Sequence, residues 1–132
     1  MSNSQSLSHY GLGLLRIVAG YTFLLHGSAK LFALPHVAAF DGLSVFSLLG
    51  IGGILELVGG ILLVLGLFSR ITAFILSGEM AFAYFLFHAS VSTFWLPLMN
   101  GGEPAVLFCF IFLFIAIAGS GAFALDNLKN RQ

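Results

Sequence analysis

Long apolar runs separated by short polar breaks divide the chain into four stretches of near-bilayer length. They run from about Gly11 to Leu34, Ser44 to Phe68, Ile71 to Val91 and Pro104 to Phe123. Each approaches the roughly 20 residues that a helix needs to cross hydrocarbon. The pattern therefore predicts an all-α fold, an integral membrane four-helix up-down bundle filling the chain as one domain. The first run reads as a retained span and not as a cleaved leader. No Lys or Arg precedes it, Arg16 interrupts it, and no small-residue cleavage site follows.

Composition names the solvent. Hydrophobic residues make up 59% of the chain and charged residues 8%, too little polar surface to cover a water-soluble fold, so the lipid bilayer is the expected partner. The formal net charge is zero and the basic residues are scattered, which leaves no electrostatic footprint for nucleic acid. Cys109 is the single cysteine, excluding an intrachain disulfide or a cysteine cage for a metal; it reads as a packing residue. Arg16 near the first start, Arg70 in the short second turn, and Lys129 with Arg131 after the last run share one side. The positive-inside rule puts that side, with both termini, in the cytoplasm.

Against this background Arg16, Lys30, Glu56 and Glu79 stand out, because an ionised side chain within a span costs at least roughly 2.5–3.5 kcal/mol unless it is paired or faces a cavity. Helical phase sets Arg16, Gly20, Phe23, Gly27 and Lys30 on one stripe with His26 at its edge, a stripe expected to face protein. Arg16 and Lys30 can also be read as snorkelling anchors. Glu56 is bracketed by Gly52-Gly53 and Gly59-Gly60; these four glycines are assigned to its face, as a close helix crossing or a groove for a flat ligand. Counting rise from the cytoplasmic ends puts Arg16 about 8 Å deep, Glu79 about 13 Å and Glu56 about 18 Å. An Arg16–Glu79–Glu56 cluster follows, with His26, Lys30, His88 and Glu103 as a second, outer polar layer.

Other motifs have plain structural readings. Nine residues separate Glu79 from His88, which on an ideal helix puts them on opposite faces unless the helix bends. Asn100-Gly101-Gly102-Glu103-Pro104 reads as a helix start, with Asn100 and Glu103 as a capping box and Pro104 in the first turn. The Phe-rich fourth run carries no charge inside it and suits a lipid-facing role. His9 and His36 read as interfacial. The spacing of the histidines gives no metal box, and no haem-ligand pair or flavin fingerprint is present.

The ordered set Leu15-Arg16-Ile17, His26-Gly27, Lys30-Leu31, Gly53 with Glu56 and Gly59-Gly60, Arg70, Glu79-Met80, His88, Asn100 to Glu103 and Gly119-Ser120-Gly121 before Asp126 resembles the DoxX family. The resemblance implies a four-helix protein of the bacterial cytoplasmic membrane, grouped with redox-associated membrane proteins and occurring as an accessory subunit. It does not imply one reaction.

Three functions fit the residues. In the leading one, the protein is a membrane subunit of a redox complex holding a quinone or similar molecule against the charged cluster; glycine grooves, a donor and a carboxylate are what a quinone needs. Electrons would come from a protein partner. In the second, paired carboxylates serve a small-molecule or proton-coupled transporter, for which a homo-oligomer would supply room. In the third, every charge is satisfied internally and the bundle is a scaffold.

Overall fold

The computed structural model describes residues 3–129, which are mostly helical with no strand among them. Arg131, one of the residues used above to orient the chain, lies outside them. Helix α1 spans Asn3–Phe32, α2 Leu48–Leu65 and α3 Ser69–Ala83, continued by a π-helical turn over Tyr84–His88. Short α4 covers Pro97–Asn100, α5 runs Glu103–Ala118, and α6 is one turn at Asp126–Lys129. Asn3–Phe32, Leu48–Leu65 and Ser69–His88 are long and apolar enough to cross a membrane. Helix α5, with 16 residues, is apolar but rises only about 24 Å, short of a bilayer core of about 30 Å.

Local chemistry moves each boundary from its expected place. Helix α1 starts at Asn3 instead of Gly11, because the apolar pattern marks the part fit for lipid and a polar turn can precede it. Ser47 Oγ accepts from the Gly50 N–H at 3.1 Å and Gly66 closes α2 in the left-handed region, which trims the second run to 48–65. The fourth helix ends at Ala118, not Phe123, where Gly119 takes a φ of 101°. Residues 119–125 then fold back under the helices. The Ala122 N–H donates to His9 O at 3.0 Å, and those of Leu125 and Asp126 donate to Leu65 O and Gly66 O at 3.2 and 2.9 Å.

Glycines set how closely the helices approach. A side-chain carbon on Gly20 would lie 2.8 Å from Leu63 Cβ, and one on Gly53 would lie 3.0 Å from Lys30 Cβ, so α1 and α2 pack antiparallel with backbones nearly in contact. Added carbons on Gly59 and Gly52 would instead meet Leu76 and Glu79 on α3. The four glycines therefore do not share the one face expected above. Consecutive helix residues are about 100° apart, so Gly53 and Gly60 serve the α1 seam while Gly52 and Gly59 serve the α3 seam. Glu56 lies between the two.

The centre is aromatic. Phe23 of α1 stands edge-on to Phe108 and Phe112 of α5, with ring centroids 5.0 and 4.6 Å apart, a geometry that adds to simple burial. Helix α5 is thus not wholly lipid-facing, since Phe112 and Ile115 are fully buried. The outer surface is apolar as well: Phe74, Phe82, Leu107, Phe110 and Ile117 are 63–70% exposed. A contiguous surface of that kind belongs against lipid.

Candidate functional site

Toward the end of the molecule opposite the termini, the helices part around a cavity of about 310 Å³, at the low end of the range for small-molecule sites. From α1 it takes Phe23, His26 and Lys30, from α2 Leu48, Leu49, Gly52 and Glu56, and from α5 Ala105 and Phe108. Helix α3 and its π turn supply Glu79, Met80, Phe82, Phe87 and His88 among others, and Phe40 comes from the α1–α2 connection. Part of the rim is open, for Leu48, Phe82, Leu86 and Phe87 are all more than half exposed.

Two carboxyl groups and one ammonium face this space. Lys30 Nζ lies 2.8 Å from each Glu56 oxygen, bonding Oε1 directly. The pair is nearly out of solvent, at 10% and 4% side-chain exposure. A Phe40 ring lies 5.6 Å from the same ammonium, a distance suited to cation–π attraction. Glu79 lies near enough for both Glu56 and Lys30 to act on it electrostatically, yet its buried Oε2 has no hydrogen-bond partner. One carboxyl is matched by a cation and the other is not.

His88 joins Glu79 in the cavity wall, against the opposite faces that ideal phase requires. The cause is the π turn, in which the Ala89 N–H donates to Tyr84 O five residues back at 2.8 Å. A turn with more residues per revolution holds His88 back from the far face. Asn100 braces this region: its Nδ2 donates to Tyr84 Oη at 3.1 Å and Thr93 O at 3.0 Å, while its Oδ1 accepts from the Gly102 N–H at 2.8 Å. It closes no capping box with Glu103. Gly102 occupies the cap position without a side-chain bond, and Glu103 is exposed and outside the cavity wall.

Arg16 lies elsewhere, which corrects the expected Arg16–Glu79–Glu56 cluster. It is fully buried, with Nε donating to Ser120 O at 2.7 Å, Nη1 to Val64 O at 3.1 Å and to Leu63 O, and Nη2 to Ala122 O and Phe123 O at 2.9 Å each. All five guanidinium N–H donors are thereby used. The side-chain direction explains the error. A helical Cβ tilts toward its own N-terminus, so Arg16 on α1 points toward the chain termini while Glu56 on antiparallel α2 points the opposite way. By the same rule Lys30 and Glu56 converge.

Arg16 belongs to a layer of charged caps, two of which, Arg16 and Arg70, the sequence offered as topology signals. It holds the last carbonyls of α2, and Arg70 does the same for α5, donating to Ala116 O at 3.0 Å and to Ile117 O. Asp126 takes the start of α3, its two oxygens accepting from the N–H groups of Phe68 and Ser69 at 2.8 and 2.9 Å. Each charge has the sign that complements its helix end. Burial alone would raise the Asp126 carboxyl, but the bonds from Ser69 and Phe68, with Lys129 nearby, outweigh it and hold the group below its ordinary value. The findable signal was an Arg in helical phase with orphan carbonyls at a Gly-terminated helix end.

Antiparallel glycine-packed apolar helices, a lipid-compatible surface and charges gathered in an internal cavity define a membrane protein. The DoxX family model matches residues 11–89, and the chain belongs to that family. It is also 46% identical to an uncharacterized protein of Haemophilus influenzae over 129 residues, covering 96% of each chain. No solved structure matches it.

Proposed function

We propose that the protein is a multi-pass protein of the bacterial cytoplasmic membrane, a four-helix up-down bundle with both termini in the cytoplasm, whose cavity holds a lipid-soluble small molecule. The observation that carries this reading is the cavity itself: about 310 Å³, walled by aromatic and aliphatic side chains, with Lys30, Glu56 and Glu79 on its inner face. Its exposed apolar rim would open toward acyl chains, so a molecule dissolved in the bilayer could enter sideways. Membership of the DoxX family favours service as an accessory subunit of a redox system, for which a quinone-class ring is a fitting occupant. The ring would stack on Phe23 or Phe108 and its polar groups would meet the charged face. His26 supplies a donor, and Glu79 an acceptor.

A second reading, carriage of a small molecule or proton, is favoured by Glu79, whose carboxyl no cation matches. The two differ in outcome. Protein in nanodiscs titrated with decylubiquinone and decylubiquinol should bind at least one of them saturably, about one per chain, and the cavity-filling substitution Gly52→Leu should abolish it. Absence of saturable binding of both to the folded protein refutes the site. Substrate-dependent flux through proteoliposomes would select carriage over a subunit role.

A further inference from the structure

Within the cavity the polar groups are unequal in a way that bears on what can occupy it. Lys30 is committed: its ammonium spans both oxygens of Glu56 at 2.8 Å, and drawing it away would orphan a nearly buried carboxylate. Glu79 is uncommitted. Among the described residues no N–H or O–H donates to it, and its Oε2 is shut from solvent without a partner. A buried acceptor in that state gains most from a hydrogen bond donated by a ligand, because the cost of removing water from it is already met. From the geometry we infer that Glu79 is the specificity-determining acceptor of the cavity and selects lipid-soluble aromatic rings that carry a donating hydroxyl over otherwise equal rings that carry a bare carbonyl.

The remaining surroundings narrow the class further. A hydroxyl-bearing ring donates to Glu79 without bringing a further charge into an apolar-walled cavity, where an added ion is costly. Phe23, Phe40, Phe82, Phe87 and Phe108 line the same space and give a flat ring faces and edges to pack on. The groups facing Glu79 are Glu56 across from it on α2, Lys30 and His26 on α1, and His88 on its own π turn; the cavity wall from α5 presents Pro104, Ala105 and Phe108, with no titratable group.

The inference rests on the cavity being a ligand site as proposed above. It is tested with the full chain in nanodiscs and two probes that share a ring and tail, decylubiquinol under reducing conditions and decylubiquinone without reductant, titrated separately. The expected result is that the dihydroxy form binds on the order of tenfold more tightly, as one net hydrogen bond implies. In Glu79→Leu, checked for folding by its melting curve, the ratio should fall to near one, whereas Glu79→Gln, which keeps an acceptor oxygen, should retain part of it. Equal binding of the two forms by wild-type protein, or tighter binding of the carbonyl form, overturns the inference and leaves the cavity reading standing. If neither form binds, both fall. The wild-type ratio needs no variant, so a Glu79 substitution that fails to fold leaves the test intact.

Discussion

Replacing Arg16 by Met tests whether that residue is a structural clasp or part of the cavity. The substitution keeps the apolar stem and removes the five donors that hold Leu63, Val64, Ser120, Ala122 and Phe123 by their carbonyl oxygens. Hydrogen bonds to a charged group contribute about 1.5–3 kcal/mol each, but bonds sharing one side chain are not additive. Residues 119–123 can also relax toward water once released. The expected loss is therefore about 3–5 kcal/mol, the range for breaking a buried charged network, against a total stability of order 5–15 kcal/mol. Arg16→Met should unfold well below the wild type when heated in detergent and followed by circular dichroism, and Arg16→Lys, with three donors, should fall between. The molecules that remain folded should bind ligand normally. Arg16 contacts α2 at Leu63, seven residues from Glu56, or roughly 10 Å along the helix. A variant with the wild-type melting curve and no ligand binding would refute the clasp and return Arg16 to the site.

Lys30→Met should destabilise by a similar about 3–5 kcal/mol by stranding Glu56, while the double change Lys30→Met with Glu56→Met should recover most of that loss, measured as a coupling in a double-mutant cycle. Gly20→Leu should separate α1 from α2 and lower the melting temperature more than Gly11→Leu, because an added carbon at Gly20 meets Leu63 at 2.8 Å while Gly11 has open space around it. Asp126 should give the termini end an acid-sensitive component. Its folded carboxyl sits below the ordinary 3.8, so its contribution is complete above that value and is lost as pH falls through the lower folded one; Asp126→Asn should flatten that part of a stability-versus-pH curve.

The sequence made the helices legible because lipid demands long apolar runs, and three of the four expected stretches correspond to helices of spanning length. It left the ends illegible because they depend on single backbone events, such as the left-handed turns at Gly66 and Phe68 and the fold-back after Gly119. Lys30, Glu56 and Glu79 could be named from their cost in a membrane and His26 and His88 from their place in the outer polar layer, and the structure gathers those five around one cavity. The grouping of Glu56 and Glu79 with Arg16 failed because depth along a helix was counted without side-chain direction, which sends Arg16 and Glu56 opposite ways. Glu103 was set in the outer layer by depth alone, whereas its place at the exposed first turn of α5 turns it outward. The π turn that brings His88 into the cavity wall shared with Glu79 has no signature in Tyr84-Phe85-Leu86-Phe87-His88 that a periodicity can detect. The glycine pairs were readable as contact points, but adjacent residues point about 100° apart, and that separation is what places Glu56 at a junction of two seams.

The most direct measurement is native mass spectrometry of the full chain released gently from its own membranes, comparing wild type with folded Gly52→Leu. A cavity that serves as a binding site predicts a discrete lipid-soluble molecule retained at about one per wild-type chain and missing from the variant. Equal retention by both proteins would contradict it, as would a wild-type chain that flies bare under conditions preserving its fold.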